Sequence, residues 1–344
     1  MKFYTYYKIV VYLLLSYSAL YFAEPDCAII KNTIQKYTTS AKKTNIRLMQ
    51  YNTEWLFIDY YAASNCPGAG CTWKNQSEAE THLSYVAKVI HDLAPDIVNI
   101  CEIEGCDELN MLIQGSSYNP YLINGKDTST GQNVGMLTKI NPRVNLYRTE
   151  EHVNYPIPNS KCGYTGAPGT AGVSKHYITE FTLNNMNIAF IGAHLLAFPT
   201  DSMRCAEREA QATVLQNVII SYINKKYEII MLGDFNDFDE NTPDRNNNIP
   251  TSHVLDILKG MNTNIYTLYN AASLIPQSNR YSDWYDSNGD CKSTLNEFSM
   301  IDHVLLTSNL MDKVKNVFIY QEYAEYCGKY NSDHYPVIVD FDFS

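Results

Sequence analysis

Asn52, Glu102, His194, Asp234, Asn236, Asp302, Asp333 and His334 all lie beside or within short apolar runs. Asn52 closes Ile46-Arg47-Leu48-Met49-Gln50-Tyr51, and Glu102 closes the run that begins Ile97-Val98-Asn99-Ile100. His194 follows Ile188 to Ala193, and Asp234 and Asn236 follow Ile229-Ile230-Met231-Leu232-Gly233. Asp302 sits inside Met300 to Leu306, while Asp333 and His334 precede Pro336 to Phe341. A polar residue at a strand end is ordinarily a turn former or a satisfied hydrogen-bond partner, so none of these carries an argument alone. As a set they supply hard oxygen donors and two imidazoles. That set suits Mg²⁺ or Mn²⁺ acting on a phosphate better than it suits zinc or copper.

Such residues act together only if strands and helices gather them. Ile46 to Asn52 reads as a strand. Ser77 with Glu80 reads as a capping box, and Leu83, Val86, Val89, Ile90 and Leu93 then share one helical face until Pro95 ends the helix. The run from Ile97 suits a buried strand. Val134–Leu137, Val144–Tyr147, Tyr177–Leu183 and Ile188–Ala193 read as further strands, and the Pro/Gly/Thr-rich stretch Tyr155–Gly172 as a loop. A helix is expected from about Arg204 to Ile223, then strands at Glu228–Leu232, Met300–Leu306, Val317–Tyr320 and Pro336–Phe341, with a polar loop at Asn241–Asn248. No linker, composition shift or repeat divides this alternation. One domain of two packed sheets with helices outside fits it.

The 344 residues are 45% hydrophobic and 18% charged, a globular composition with a formal net charge of −11. A chain this acidic cannot bind a phosphodiester through a broad cationic surface, so neutralisation must be local, by a metal ion or a few placed cations. Lys175, His176, Arg204 and Arg208 are the candidates. Arg204 and Arg208 fall four apart on one helix face, where phosphate contact and ion pairing to acidic neighbours are both open. Lys2 and Lys8 precede an apolar run from Ile9 to about Ala23. Residues 1–23 therefore read as a signal peptide without a sharp cleavage site, since that apolar run is shorter than the roughly 20 residues of a membrane helix; an uncleaved membrane anchor is the competing reading. Residues 24–44 form an N-terminal segment and 45–344 a single domain, with no stable membrane insertion expected after cleavage. Nine cysteines in an exported chain imply disulfides, and an odd number leaves at least one thiol unpaired or paired between chains. Cys66 and Cys71 flank a Pro-Gly-Ala-Gly turn that could let them meet. Asn75-Gln76-Ser77 is a glycosylation sequon suited to a surface loop. Asp286-Ser287-Asn288-Gly289-Asp290 resembles the start of a calcium loop but lacks its later Glu and its placed Gly, so structural Ca²⁺ competes with a solvated turn. Beside it, Arg280, Tyr281, Trp284 and Tyr285 would stack bases if exposed and fill a core if buried.

The ordered segments Gln50-Tyr51-Asn52, Cys101-Glu102, Gly192-Ala193-His194-Leu195, Gly233-Asp234-Phe235-Asn236-Asp237, Ile301-Asp302-His303 and Ser332-Asp333-His334-Tyr335-Pro336-Val337 resemble the motifs of the endonuclease/exonuclease/phosphatase (deoxyribonuclease I-like) superfamily. The match spans nearly all of the chain after the signal segment. Asn52-Thr53-Glu54-Trp55-Leu56, His194 to Pro199, Arg204-Cys205 and Arg208 to Ala212 are similar to a secreted, nuclease-like branch. The resemblance implies a four-layered α/β-sandwich with two packed mixed β-sheets flanked by helices, and an active site at one edge of the sheets. It implies that Glu102 is the principal metal ligand, with Asn52 and Asp333 beside it. His334 would be the general base oriented by Asp302, and Asp234 would position or deprotonate water. Asn236 would hold water or a phosphate oxygen, and His194 would bind phosphate or protonate the leaving oxygen. Lys175, Arg204 and Arg208 remain the cations for substrate phosphate. The family's Gln before the metal-binding Glu is Cys101 here. Glu104 competes with Glu102, since both would face one side of a continuing strand; spacing from Asp96-Ile97 favours Glu102. The expected function is a secreted Mg²⁺- or Mn²⁺-dependent nuclease hydrolysing DNA or RNA by in-line attack of water, with nucleic acid as substrate and no obligate protein partner. A secreted sphingomyelinase-like phospholipid phosphodiesterase and a catalytically silent binding module are the competing readings.

Overall fold

A computed structural model describes Cys27, residues 43–322 and residues 331–344; the expected signal segment lies outside them. The strands are β1 (Asn45–Leu56), β2 (Ile97–Ile103), β3 (Asn119–Leu122), β4 (Asn133–Thr138), β5 (Val153–Tyr155), β6 (Gly169–Ala171), β7 (Lys175–Leu183) and β8 (Met186–His194). They continue as β9 (Glu228–Asp234), β10 (Leu268–Asn270), β11 (Asp283–Trp284), β12 (Phe298–Ser299), β13 (Asp302–Thr307), β14 (Val314–Ile319) and β15 (Val337–Asp342). The helices are α1 (Gln76–Leu93), α2 (Cys106–Leu112), α3 (Ser202–Asn224), α4 (Val254–Leu258) and α5 (Ser308–Met311).

Two sheets result, ordered β14-β15-β1-β2-β4-β3 and β10-β13-β9-β8-β7. Alternation along β1 shows how they stack: Leu48 points into a core between the sheets with Tyr177, Phe190, Leu232, Val304 and Val339. Met49 and Tyr51 point to the opposite face, where Val86, Val89 and Ile90 of α1 and Leu109 of α2 cover them. Ala189, Ile191 and Met231 on the far side of the second sheet meet Val214, Leu215 and Ile219 of α3 and Leu255 of α4. The layers are thus helix, sheet, sheet, helix, as expected.

Each sheet has one parallel pair at its centre, β1–β2 joined through α1 and β8–β9 joined through α3. A parallel pair with a crossover helix puts the carboxyl ends of both strands at one edge, the place where α/β sheets leave a crevice. Asn52 and Cys101 are in register there in one sheet, and His194 and Asp234 in the other. Antiparallel β13 brings Asp302 opposite Asp234, and β15 pairs Val337 with Gln50, so the preceding Asp333 and His334 arrive at the same edge.

Several local expectations change. Helix α1 begins two residues earlier than the capping box at Ser77 required: Asn75 is the N-cap, its side chain accepting from Glu78 N–H at 3.0 Å. Asn75 of the sequon is therefore an exposed cap residue. Val144–Tyr147 forms no strand; Tyr147 makes one isolated bridge to Ile178. The expected loop at Tyr155–Gly172 has the ribbon β5–β6 at its ends. Disulfides join Cys27 to Cys106 and Cys162 to Cys205, and Cys291 is also disulfide-bonded. Cys66, Cys71 and Cys101 are buried free thiols. Cys66 and Cys71 do meet, with Cys71 N–H donating to Cys66 Sγ at 3.0 Å, but no bond joins their sulfurs.

Gly233 shows how tightly the two parallel strands approach at the edge. A Cβ there would lie 1.7 Å from the backbone oxygen of Ala193, which no rotamer can relieve. Gly233→Ala is expected to destabilise the protein by at least about 3 kcal/mol, or to prevent folding, as measured by urea unfolding. A midpoint equal to the wild type would contradict this packing.

Candidate active site

Glu102 owes its position to a break in β2. Ile100 packs on the helix-covered face and Cys101 between the sheets, so strict alternation would send Glu102 back to the helix side. Glu102 instead has φ +64, the pairing register shifts between Cys101 and Ile103, and Ile103 takes the helix-covered face three residues after Ile100. This β-bulge turns the carboxylate to the sheet edge. Glu104 is engaged elsewhere: its carboxylate accepts from Ile58 N–H at 2.8 Å and Asp59 N–H at 3.0 Å.

Around Glu102 the polar groups interlock. Its Oε2 accepts from Trp55 N–H at 3.0 Å and its Oε1 from Asn52 Nδ2 at 3.2 Å. The same Asn52 nitrogen donates to Asp234 Oδ2 at 2.9 Å. His194 Nε2 stands 3.8 Å from Glu102 and 3.7 Å from Asp234. Asn236 N–H donates to Asp234 Oδ1 at 2.9 Å, and its side chain ties to Leu195 O at 3.2 Å. His334 Nδ1 contacts Asp302 Oδ2 at 2.7 Å, which directs Nε2 at the crevice. From there Nε2 is 3.9 Å from Asp234, 3.7 Å from Asp283 and 3.8 Å from Asp333. These separations exceed ordinary hydrogen-bond contact.

Asp302 is itself fixed on two sides, accepting from Gln50 Nε2 at 3.0 Å and Ser282 Oγ at 2.9 Å. Gln50, Ser282 and Asp283 were not singled out as site residues from the sequence. Gln50 had a readable signal, a polar residue on the inward face of a strand between Leu48 and Asn52. Asp283 had none: it reaches the site through an isolated bridge to His334, 51 positions away in number, and a hydrogen bond from Ser299 Oγ at 2.8 Å.

The electrostatics follow from packing five carboxylates at one edge. Burial, then the charge of Asp302, pushes Asp234 up to about 8, against the opposing pull of His334 and Asn52. Burial pushes Asp333 up to about 7 and Asp283 up to about 6. Burial alone would lower His334, but the carboxylates of Asp302 and Asp333 hold it well above its ordinary value. Burial, with the cations Lys175 and His334, drives His194 well below its own. The ligand atoms of Glu102, His194 and Asp234 lie within 4.8 Å of one another, as do those of Asp234, Asp302 and His334, and of Asp283, Asp333 and His334. Asp333 Oδ1 is buried without a hydrogen-bond partner. Crowded anionic oxygens with an unsatisfied buried acceptor fit a hard divalent cation such as Mg²⁺.

The three expected phosphate cations separate. Lys175 pairs with His194 across β7 and β8 and donates to Gln132 at 2.9 Å, close enough for its charge to act on His194. Arg204 sets its guanidinium over the Phe198 ring, 5.0 Å from the centroid. Arg208 does not serve as a phosphate contact. It is fully buried, bonded to Asp237 at 3.1 Å and to the carbonyl oxygens of Leu196, Phe198 and Pro199. His176 is also buried and bonded to Val173 O and Thr149 N–H, its pKa driven down to about 3 by burial. The Asp286–Asp290 segment uses its oxygens on its own turn: Asp286 accepts from Gly289 and Cys291 N–H, and Asn288 from Asp290 N–H. The segment is thus an exposed turn bonded to its own backbone. Trp284 is buried, whereas Tyr285 is exposed.

These shifts have a sign that can be measured. Asp234 and Asp333 keep protons in the folded state that an unfolded carboxylate loses near about pH 4. Unfolding therefore releases protons, and stability falls as pH rises toward 8. His334, raised, acts the same way. Neutral buried His176 and His194 act oppositely, but only below about pH 6.5, where an unfolded imidazole takes a proton. In chelator, the melting temperature should decline above that pH, and Asp234→Asn should flatten the decline. A flat or rising wild-type profile would contradict the crowded-carboxylate site.

No protein-family model matches the sequence, and no curated protein matches it. Solved structures do. A 3′-5′ exonuclease from Neisseria meningitidis superposes with a TM-score of 0.56 at 16% identity, covering 86% of this chain and 100% of that one. An endonuclease/exonuclease/phosphatase family protein from Bacteroides thetaiotaomicron gives 0.53 at 14% identity, covering 88% and 96%. The human Nocturnin catalytic domain gives 0.51 at 15% identity, covering 88% and 95%. The chain has the fold of the endonuclease/exonuclease/phosphatase superfamily.

Proposed function

We propose that this protein is a divalent-metal-dependent phosphodiesterase, acting on DNA or RNA and exported to an oxidising compartment. The observation that carries the chemistry is the placement of two imidazole nitrogens, His194 Nε2 at 3.7 Å and His334 Nε2 at 3.9 Å, beside the same Asp234 oxygen at the carboxylate-lined sheet edge. The Neisseria fold-mate, a 3′-5′ exonuclease also described as a 3′ phosphatase and seen bound to a product DNA hairpin, supports the choice of nucleic acid. The disulfides support export. Among the described residues no helix is long and apolar enough to cross a membrane.

Glu102, Asn52 and Asp333 are the residues that would hold Mg²⁺ or Mn²⁺. The ion would supply charge stabilisation at a phosphoryl oxygen. The protein groups then divide the remaining work. Asp302 accepts from His334 Nδ1 and fixes the ring, much as a carboxylate orients an imidazole in other hydrolases; since the carboxylates hold His334 well above its ordinary value, Nε2 takes a proton from water only in the fraction whose ring is deprotonated. Asp234, fixed by Asn52 and by the Asn236 amide, aligns that water for in-line attack, with inversion at phosphorus. Asn236 holds the position of Asp234 through its amide. His194 is kept neutral by burial, which favours donation of a hydrogen bond to a phosphate oxygen over protonation of the leaving group. Lys175 adds positive charge behind it.

The test is hydrolysis of single-stranded DNA, duplex DNA, RNA, sphingomyelin and inositol phosphates, each with Mg²⁺ and with chelator. Nucleic-acid cleavage that chelator abolishes is expected. Glu102→Gln, His334→Ala and Asp302→Asn should each lower kcat by about 10²–10⁴ while the protein stays folded. Full activity in chelator, or in His334→Ala, would overturn the mechanism. Lipid turnover without nucleic-acid cleavage would keep the mechanism and replace the substrate.

A further inference from the structure

The loop that leaves His194 carries a feature the hydrolytic residues do not use. Phe198 is 61% exposed and has φ +67, a left-handed conformation unfavourable for any residue with a Cβ. The loop is nevertheless held from every side. Leu195 N–H donates to Asp234 O at 2.9 Å, and Leu196 N–H to Gln211 Oε1 at 3.0 Å. Arg208, anchored on Asp237, gathers the carbonyl oxygens of Leu196 at 2.9 Å, Phe198 at 3.3 Å and Pro199 at 3.1 Å. Thr251 Oγ1 donates to Pro199 O at 3.1 Å, and the Cys162–Cys205 disulfide pins the first turn of α3 just beyond. A wholly buried guanidinium thus fixes a strained loop whose tip presents an exposed aromatic ring.

Arg204 lies over that ring, 5.0 Å from its centroid. Phe198 follows His194 by four positions, so their Cα atoms are at most about 14 Å apart. That is roughly the length of four stacked bases at about 3.4 Å each. We propose that Phe198 and Arg204 form a nucleobase-binding platform: the open ring stacks an unpaired base flanking the scissile phosphodiester, and Arg204 meets an adjoining phosphate. The inference rests on the phosphodiesterase reading and adds a preference for single strands, since a duplex hides its base faces. A guanidinium on the ring argues against burial of Phe198 in lipid hydrocarbon, and a chain of net charge −11 gains affinity from stacking where a broad cationic surface is lacking.

A double-mutant cycle on affinity tests the platform. Binding of a hydrolysis-resistant phosphorothioate single strand is measured by anisotropy in Mg²⁺, with intact bases and with abasic positions. The proteins are wild type, Phe198→Ala, Phe198→Leu and Phe198→Trp. Phe198→Ala and Phe198→Leu should each raise Kd for the intact strand by about tenfold, with little change for the abasic strand, and Phe198→Trp should restore the difference. Losses equal for both strands, no loss for either, or no binding by the wild type would overturn the platform. So would a loss confined to sphingomyelin vesicles. Coupling without nucleic-acid hydrolysis would leave the platform standing and sink the nuclease reading; hydrolysis with an additive cycle would do the reverse.

Discussion

Buried like charges at the meeting edge of the two sheets are the constraint on which the site depends. Glu102, Asp234, Asp283, Asp302 and Asp333 act on one another there, and burial with mutual repulsion pushes Asp234, Asp333 and Asp283 upward. Proteins do not ordinarily gather carboxylates in a dry place, because desolvation penalises every charge and their repulsion adds to it. The arrangement makes physical sense if a divalent cation and a phosphate complete it. Asn52 shows how finely the charges are kept apart, one amide nitrogen bridging Glu102 and Asp234.

The scaffold supplies the stiffness this requires. Two parallel pairs, each closed by a crossover helix, deliver four side chains to one edge, and two antiparallel strands deliver Asp302, Asp333 and His334 from the far end of the chain. Where regular alternation would misdirect a group, the backbone departs from it. Glu102 is on a bulge, Asn236 has φ +50, and Gly233 lets β9 pass the Ala193 carbonyl. Stored strain clusters where function needs a particular direction.

Much of this was legible in the sequence for a physical reason. Buried strands read as apolar runs, and the polar residue that ends each run marks the sheet edge, so the layers and the residues from Asn52 to His334 could be named before any coordinates. What stayed hidden depends on direction or on distant pairing. The Arg204/Arg208 helix face did not reveal that Arg208 turns inward to Asp237. The short spacing of Glu102 and Glu104 did not reveal a bulge between them. Asp283 is brought to His334 by a single bridge between segments that share no periodicity. Val144–Tyr147 has strand composition but no neighbour to extend a ladder.

Electron paramagnetic resonance of Mn²⁺ titrated into the purified protein at pH 8 tests the central claim most directly, because it reads the cation itself rather than turnover. The account predicts bound Mn²⁺ that Mg²⁺ displaces and that Glu102→Gln weakens strongly in a protein still folded. Failure of the wild type to bind Mn²⁺, or binding untouched by Glu102→Gln, would contradict a carboxylate cluster built to hold a metal.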